Sequence, residues 1–180
     1  QTNCPHCNWN LSISEEQPDE LDYYIFVQAV LGGKNFIKNY SLLGGKLVVR
    51  FRTLEAQYGD MSMCQCAFDA SQGRLKTQDE LFLALLNYRM ILAIDSIIVD
   101  KVEHDIGSSI DEFLKDHKSE IGKDTPLTAL AEQIKNITPL NKEPVWRMLS
   151  VQYQRFNRIV KCLEDRSEDE SFWKAIADER

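Results

Sequence analysis

Positive charge is the scarcer sign in this sequence: 21 lysines and arginines face 28 aspartates and glutamates, a net charge of -7. This balance argues against a surface built throughout to lie on nucleic-acid phosphates, although it leaves room for a local basic patch, and nucleic acid is not expected as a partner. Cysteine is sparse and odd in number, five in all, and no signal peptide precedes the first of them. A secreted disulfide framework is therefore the weaker reading, and synthesis in a reducing cytosol is expected. Gln1 is not an initiator methionine, which fits a chain that is processed or continues upstream. No long apolar run is free of charge. The best one, from Leu81 to Val99, is broken by Asn87, Arg89 and Asp95, and an ionised group costs roughly 2.5 to 3.5 kcal/mol at a bilayer centre. No membrane span is expected.

Catalytic motifs are missing as well. There is no nucleophile elbow, no paired-histidine helix motif and no phosphate loop; Lys34 and Lys46 follow paired glycines, but Asn35 and Leu47 stand where a magnesium-binding Ser or Thr is required. The three histidines have no carboxylate or nucleophile at motif spacing. Asp95 is the one oddly placed charge. It is expected to cap, to pair with a nearby Arg such as Arg89, or to face solvent, rather than to catalyse. The chain is not expected to be an enzyme.

What is present reads as one well-buried core with a small appendage, which 180 residues can supply. Residues 1–20 hold a cysteine pair and an acidic, Pro-containing linker; 21–76 read as a small sheet plus a first helix, and 77–180 as a helical bundle, with 21–180 expected to form one domain. Aromatic and β-branched residues predict strands near 23–30, 35–41 and 46–52, separated by two copies of Leu-Gly-Gly-Lys at 31–34 and 43–46. Thr53 is placed as the N-cap of a helix carrying Leu54, Tyr58, Met61 and Phe68. Thr77 with Glu80 makes a capping box for a central helix from Gln78 to about Ile98. A short helix over 111–118 is capped by Ser109, and Thr125-Pro126 starts another after Gly122. Glu143-Pro144 opens a long helix whose stripe Val145, Leu149, Gln152, Phe156, Ile159 and Leu163 reads as a bundle face, with a coiled coil as the alternative. Leu85 and Phe156 are expected in the core. The fold class is α+β, mainly α: a small N-terminal antiparallel sheet with a candidate zinc knuckle, then a helical bundle.

The candidate metal ligands are Cys4 and Cys7, spaced so that a turn presents two sulfurs to one ion, with Cys64 and Cys66 as the second pair. Four thiolates would satisfy a structural zinc. Cys64 and Cys66 fall in a predicted helix, where residues two apart point about 200° apart, so His6, His104 or His117 are alternative ligands, and small apolar packing is the alternative role for the pair. Cys162 is expected to be a buried structural thiol. Basic residues Arg147, Arg155, Arg158, Lys161 and Arg166 are followed by Glu164, Asp165, Glu168, Asp169 and Glu170, a pattern suited to ion pairs and the helix dipole. Ser167 with Glu170 makes a further capping box ahead of Phe172 and Trp173. That aromatic segment either docks on the core or anchors a partner.

The run from Gly45 to Leu54, a strand delivering Phe51-Arg52-Thr53-Leu54 into a helix, resembles tail and baseplate-hub proteins of contractile-tailed, T-even-type bacteriophages and related tail-assembly chaperones. So do the run from Tyr88 to Ile97 and the Phe172-Trp173 ending; together the likeness covers roughly residues 45–176. It implies a structural subunit or assembly factor of a phage tail or baseplate hub, found in the virion and in host cytoplasm during assembly. Its implied partners are other tail and baseplate proteins in a symmetric assembly, met through protein–protein contacts. The competing expectation is a zinc-ribbon adaptor or regulator that binds nucleic acid or a polymerase through Cys4 to Trp9.

Overall fold

A computed structural model describes residues 17–124, 126–168 and 174. The first element is a helix, α1 (Glu20–Leu31), where the sequence predicts a strand over 23–30. Its start explains the difference. Asp19 accepts from the Asp22 amide at 2.7 Å while Asp22 accepts from the Asp19 amide at 3.2 Å, a capping box with Asp in place of the usual Glu or Gln, and Gly33 at φ 62° follows the end. Local capping thus overrides the β propensity of Ile25, Val27 and Val30.

Strands β1 (Ile37–Leu42) and β2 (Leu47–Arg52) pair antiparallel, Ile37 opposite Arg52 and Leu42 opposite Leu47. The second Leu-Gly-Gly is the turn between them, and Leu43, Gly44 and Gly45 all take positive φ. Helices α2 (Ala56–Ser71) and α3 (Gln78–Ala93) then form a hairpin, and Thr77 and Glu80 cap α3 reciprocally as the sequence predicts. Thr53 is not the cap of α2; Glu55 holds that position, and the Thr53 hydroxyl accepts from the Phe36 amide at 3.0 Å.

The predicted helix from Gln78 to about Ile98 ends five residues early. At Ile94 the backbone turns extended and the chain becomes β3 (Ile94–Val99), which pairs with β2 and with β4 (Val102–Asp105). The sheet order is β1-β2-β3-β4, antiparallel throughout. Ile94 and Ile97 are fully buried; a strand covered on both faces reads as a continuous apolar run and has no period-2 signature to separate it from the helix before it. The β3–β4 turn also lacks its usual signal, since Asp100 and Lys101 take positive φ without a glycine. Helix α3 is not central along its length: burial is confined to its last turn, Met90 to Ala93, and Leu85 is only half-buried.

Three helices complete the described chain. In α4 (Gly107–His117) the first turn is held by Asp105, which accepts from the Ser108 amide at 3.0 Å and its hydroxyl at 2.7 Å, the role assigned to Ser109 from the sequence. Helix α5 (Pro126–Lys135) has proline in its first position and buries Leu127, Leu130, Ala131 and Ile134. The long α6 (Glu143–Ser167) buries Val145, Leu149, Tyr153, Phe156, Ile159 and Leu163, with Tyr153 in the stripe in place of Gln152. Ser167 is the last residue of α6, and its hydroxyl donates to the Glu164 carbonyl at 2.7 Å; Glu170, the other half of the capping box read from the sequence, lies outside the described residues.

The chain forms two compact units. One comprises Asn35–Gln154, so the sheet, α2 to α5 and the start of α6 share a core; the other contains α1 and the part of α6 from Arg155 on. In the first, the Phe51 ring lies 5.9 Å from Tyr40 and 5.4 Å from Tyr153. In the second, the Arg166 guanidinium stacks 4.0 Å from the centre of the Tyr23 ring. Among the described residues no helix is long and apolar enough to cross a membrane.

Candidate functional site

The most developed polar cluster is built around Arg52, the last residue of β2. Phe51 faces the aromatic core, so alternation along the strand turns Arg52 to the other side, where it is 6% exposed. Helix α4 brings Asp111 to it: Nη2 donates to Oδ1 at 2.7 Å and Nη1 to Oδ2 at 3.1 Å, a bidentate pair. Tyr58 from α2 donates to the same Oδ1 at 2.8 Å. Burial pulls the Asp111 carboxyl upward, but hydrogen bonds from Arg52 and Tyr58 outweigh it and hold the group below the usual carboxylate range. The Tyr58 hydroxyl is pushed up to about 12 by burial and then by Asp111. Asp95 stands on β3 beside this cluster, its carboxyl raised by burial against the opposing pull of Arg52. Its cationic neighbours are thus Arg52 and, more weakly, Arg50, not Arg89. Gly107 lets α4 start this close, since a Cβ there would lie 3.1 Å from Arg52 Nη1 and 3.2 Å from the Asp95 carbonyl.

A second cluster ties α2 to α3. Asp69 is buried and accepts from Gln65 Nε2 at 3.3 Å, from Arg74 Nη1 at 3.0 Å and from the Tyr88 hydroxyl. Burial, then Asp69, raises the Tyr88 hydroxyl to about 12. In both clusters the carboxylate accepts three hydrogen bonds, so the groups act chemically as cross-links: β2, α2 and α4 through Asp111, α2 and α3 through Asp69.

Of the four sequence-predicted metal ligands, Cys64 and Cys66 lie in α2, the first exposed and the second buried. The helix persists through both, so they face different surroundings, and Cys64 lies against the loop at Gly122. Cys4 and Cys7 lie outside the described residues, as do the candidate anchors Phe172 and Trp173. Among the described residues no three His, Cys, Asp or Glu side chains are grouped to hold a metal, and the zinc knuckle has no support there. Cys162, expected buried, is exposed. Burial and then Asp69 push the Cys66 thiol up to about 11, which predicts selective chemistry. At pH 8, alkylation of the folded protein followed by peptide mass spectrometry should label Cys64 and Cys162 at least tenfold faster than Cys66, and denaturant should abolish the difference. Equal rates in the folded state would contradict the placement of α2.

The remaining distinctive feature is apolar and outward. The first two turns of α3 expose Phe82 (65%) and Leu83 (59%), with Leu81 beside them. The capping box fixes this end of the helix, so the side chains project from an ordered scaffold. Sequence reasoning assigned the segment to the core because it is apolar on most sides; the burial it anticipated occurs only after Tyr88. No protein-family model, curated protein or solved structure matches the chain.

Proposed function

We propose that this chain is a non-catalytic structural subunit or assembly factor of a contractile phage tail or baseplate hub, acting in the virion and, during assembly, in host cytoplasm. The observation that carries the contact role is the exposed Leu81, Phe82 and Leu83 on a capped helix end. Clustered exposed apolar side chains mark interaction sites, and aromatic residues concentrate binding energy at interface centres. The hydrogen-bonded carboxylates of Asp69 and Asp111 support the same reading, because they tie elements of the fold together. The resemblance of the 45–54 and 88–97 runs to tail and baseplate-hub proteins supplies the kind of assembly. Affinity purification of the tagged chain from cells making phage tails tests it. Tail or baseplate proteins should be retained by the wild type and lost with Phe82→Asp combined with Leu83→Asp; retention of no virion protein, or equal retention by the variant, would overturn the reading.

A further inference from the structure

Helix α1 is apolar on two sides, and among the described residues only one is buried. Asp22, Phe26, Val27 and Ala29 face inward. At 100° per residue, Glu20, Leu21, Tyr24, Ile25, Gln28 and Leu31 fall on one continuous arc away from Phe26 and Ala29. All six are exposed, Leu21 at 63%, Tyr24 at 64%, Ile25 at 40% and Leu31 at 66%. An amphipathic surface helix would carry polar side chains there; this one carries four large apolar residues. The ends of the helix differ in sign. Asp19 and Glu20 stand at the start, and Lys34 lies just beyond the Gly32-Gly33 turn, exposed.

We infer that this face of α1 is the seat of two-fold self-association, in which two copies of the chain lay their α1 helices antiparallel. In an isologous contact the same patch must complement itself. Antiparallel pairing centred near residue 26 sets Leu21 of one copy opposite Leu31 of the other, and Tyr24 opposite Gln28, twice each by symmetry. It also brings the acidic start of each helix toward Lys34 of the other copy and opposes the two helix dipoles. Parallel pairing would stack like charges at both ends. A membrane surface is the poorer occupant, because interfacial helices present basic residues to anionic lipid, whereas Asp19 and Glu20 flank this face. Six side chains of α1 and Lys34 from each copy fall below the roughly 20 to 30 residues a side of a standard interface, so weak, concentration-dependent association is expected. This inference rests on a different helix from the proposed tail function and does not depend on it.

Sedimentation equilibrium across a concentration series tests the pairing directly. The wild type should show a monomer–dimer equilibrium in low salt that weakens as salt rises. Leu21→Glu with Ile25→Glu should be monomeric at every concentration, with unchanged helical circular dichroism because both side chains are exposed. Glu20→Lys and Lys34→Glu should each weaken the dimer roughly tenfold, since symmetry sets two like-charge contacts in place of two attractive ones. The two reversals combined should restore it. A wild type that stays monomeric up to its solubility limit, or a double reversal no better than either single one, would overturn the inference.

Discussion

Replacing Phe51 by alanine should destabilise the protein by about 3 to 5 kcal/mol, enough to consume a large part of a typical domain's stability. Phe51 is fully buried next to the end of β2, with strands paired on both sides, and its ring meets Tyr40 of β1 and Tyr153 of α6. Those rings come from elements far apart in the chain and cannot collapse together without moving the sheet or the helix. The vacated volume would therefore remain largely a cavity. Tilted ring pairs add about 0.5 to 1.5 kcal/mol each beyond area burial. Urea denaturation of the wild type and the variant provides the measurement. A loss below about 1 kcal/mol would show that the aromatic cluster is not the centre of this core.

The second large effect is expected at Asp111. Removing its carboxylate in Asp111→Ala leaves the Arg52 guanidinium buried with its bidentate partner gone and takes the acceptor from Tyr58. Orphaning one member of a fully buried pair costs about 3 to 5 kcal/mol; the Asp111 side chain is partly exposed, so about 1 to 3 kcal/mol is expected. Arg52→Met combined with Asp111→Leu should lose less than Asp111→Ala alone, because no buried guanidinium is stranded; Asp95 then loses the pull of Arg52, and its carboxyl rises further. The pH dependence follows from the same groups. Asp111 has a depressed folded pKa, so its contribution is complete above the unfolded value of about 3.9 and is lost as pH falls through the folded value below it. Asp95 has the opposite sign: its ionisation costs stability near neutrality, and that cost is relieved as pH falls through its raised folded value toward about 3.9. Below about pH 4 the wild type should therefore lose stability more steeply than Asp111→Ala. A variant within about 0.5 kcal/mol of the wild type, with an unchanged acid limb, would contradict the cross-link.

Much of the architecture was legible where a local signal had a unique meaning. The Thr77–Glu80 box, Pro126, Glu143-Pro144 and the second Leu-Gly-Gly turn mark boundaries that the structure keeps, because caps and turns depend on residues within a few positions. The failures occurred where the decisive interaction is distant. Whether Ile94 to Val99 continues a helix or enters a sheet depends on β2 and β4 waiting beside it, and the six residues alone are apolar enough for either. Helix α1 reads as a strand from its aromatic and β-branched residues, because the return half of its capping box is Asp22 rather than the usual Glu or Gln. The Arg52–Asp111–Tyr58 cluster joins residues up to 59 positions apart, and a terminal strand arginine carries no local mark of being buried. The exposure of Phe82 and Leu83 was hidden for a related reason: composition states how much a segment would gain by burial, not whether the rest of the chain supplies a surface to bury it.

The central claim is that the chain works as a component of a larger particle. Quantitative mass spectrometry of purified phage tails, counting this chain against known tail proteins with labelled standard peptides, tests it most directly. The account predicts a fixed small-integer ratio that survives high-salt washing, and a folded Phe82→Asp, Leu83→Asp variant left in the soluble fraction. Particles that are complete and infective without this chain would contradict it.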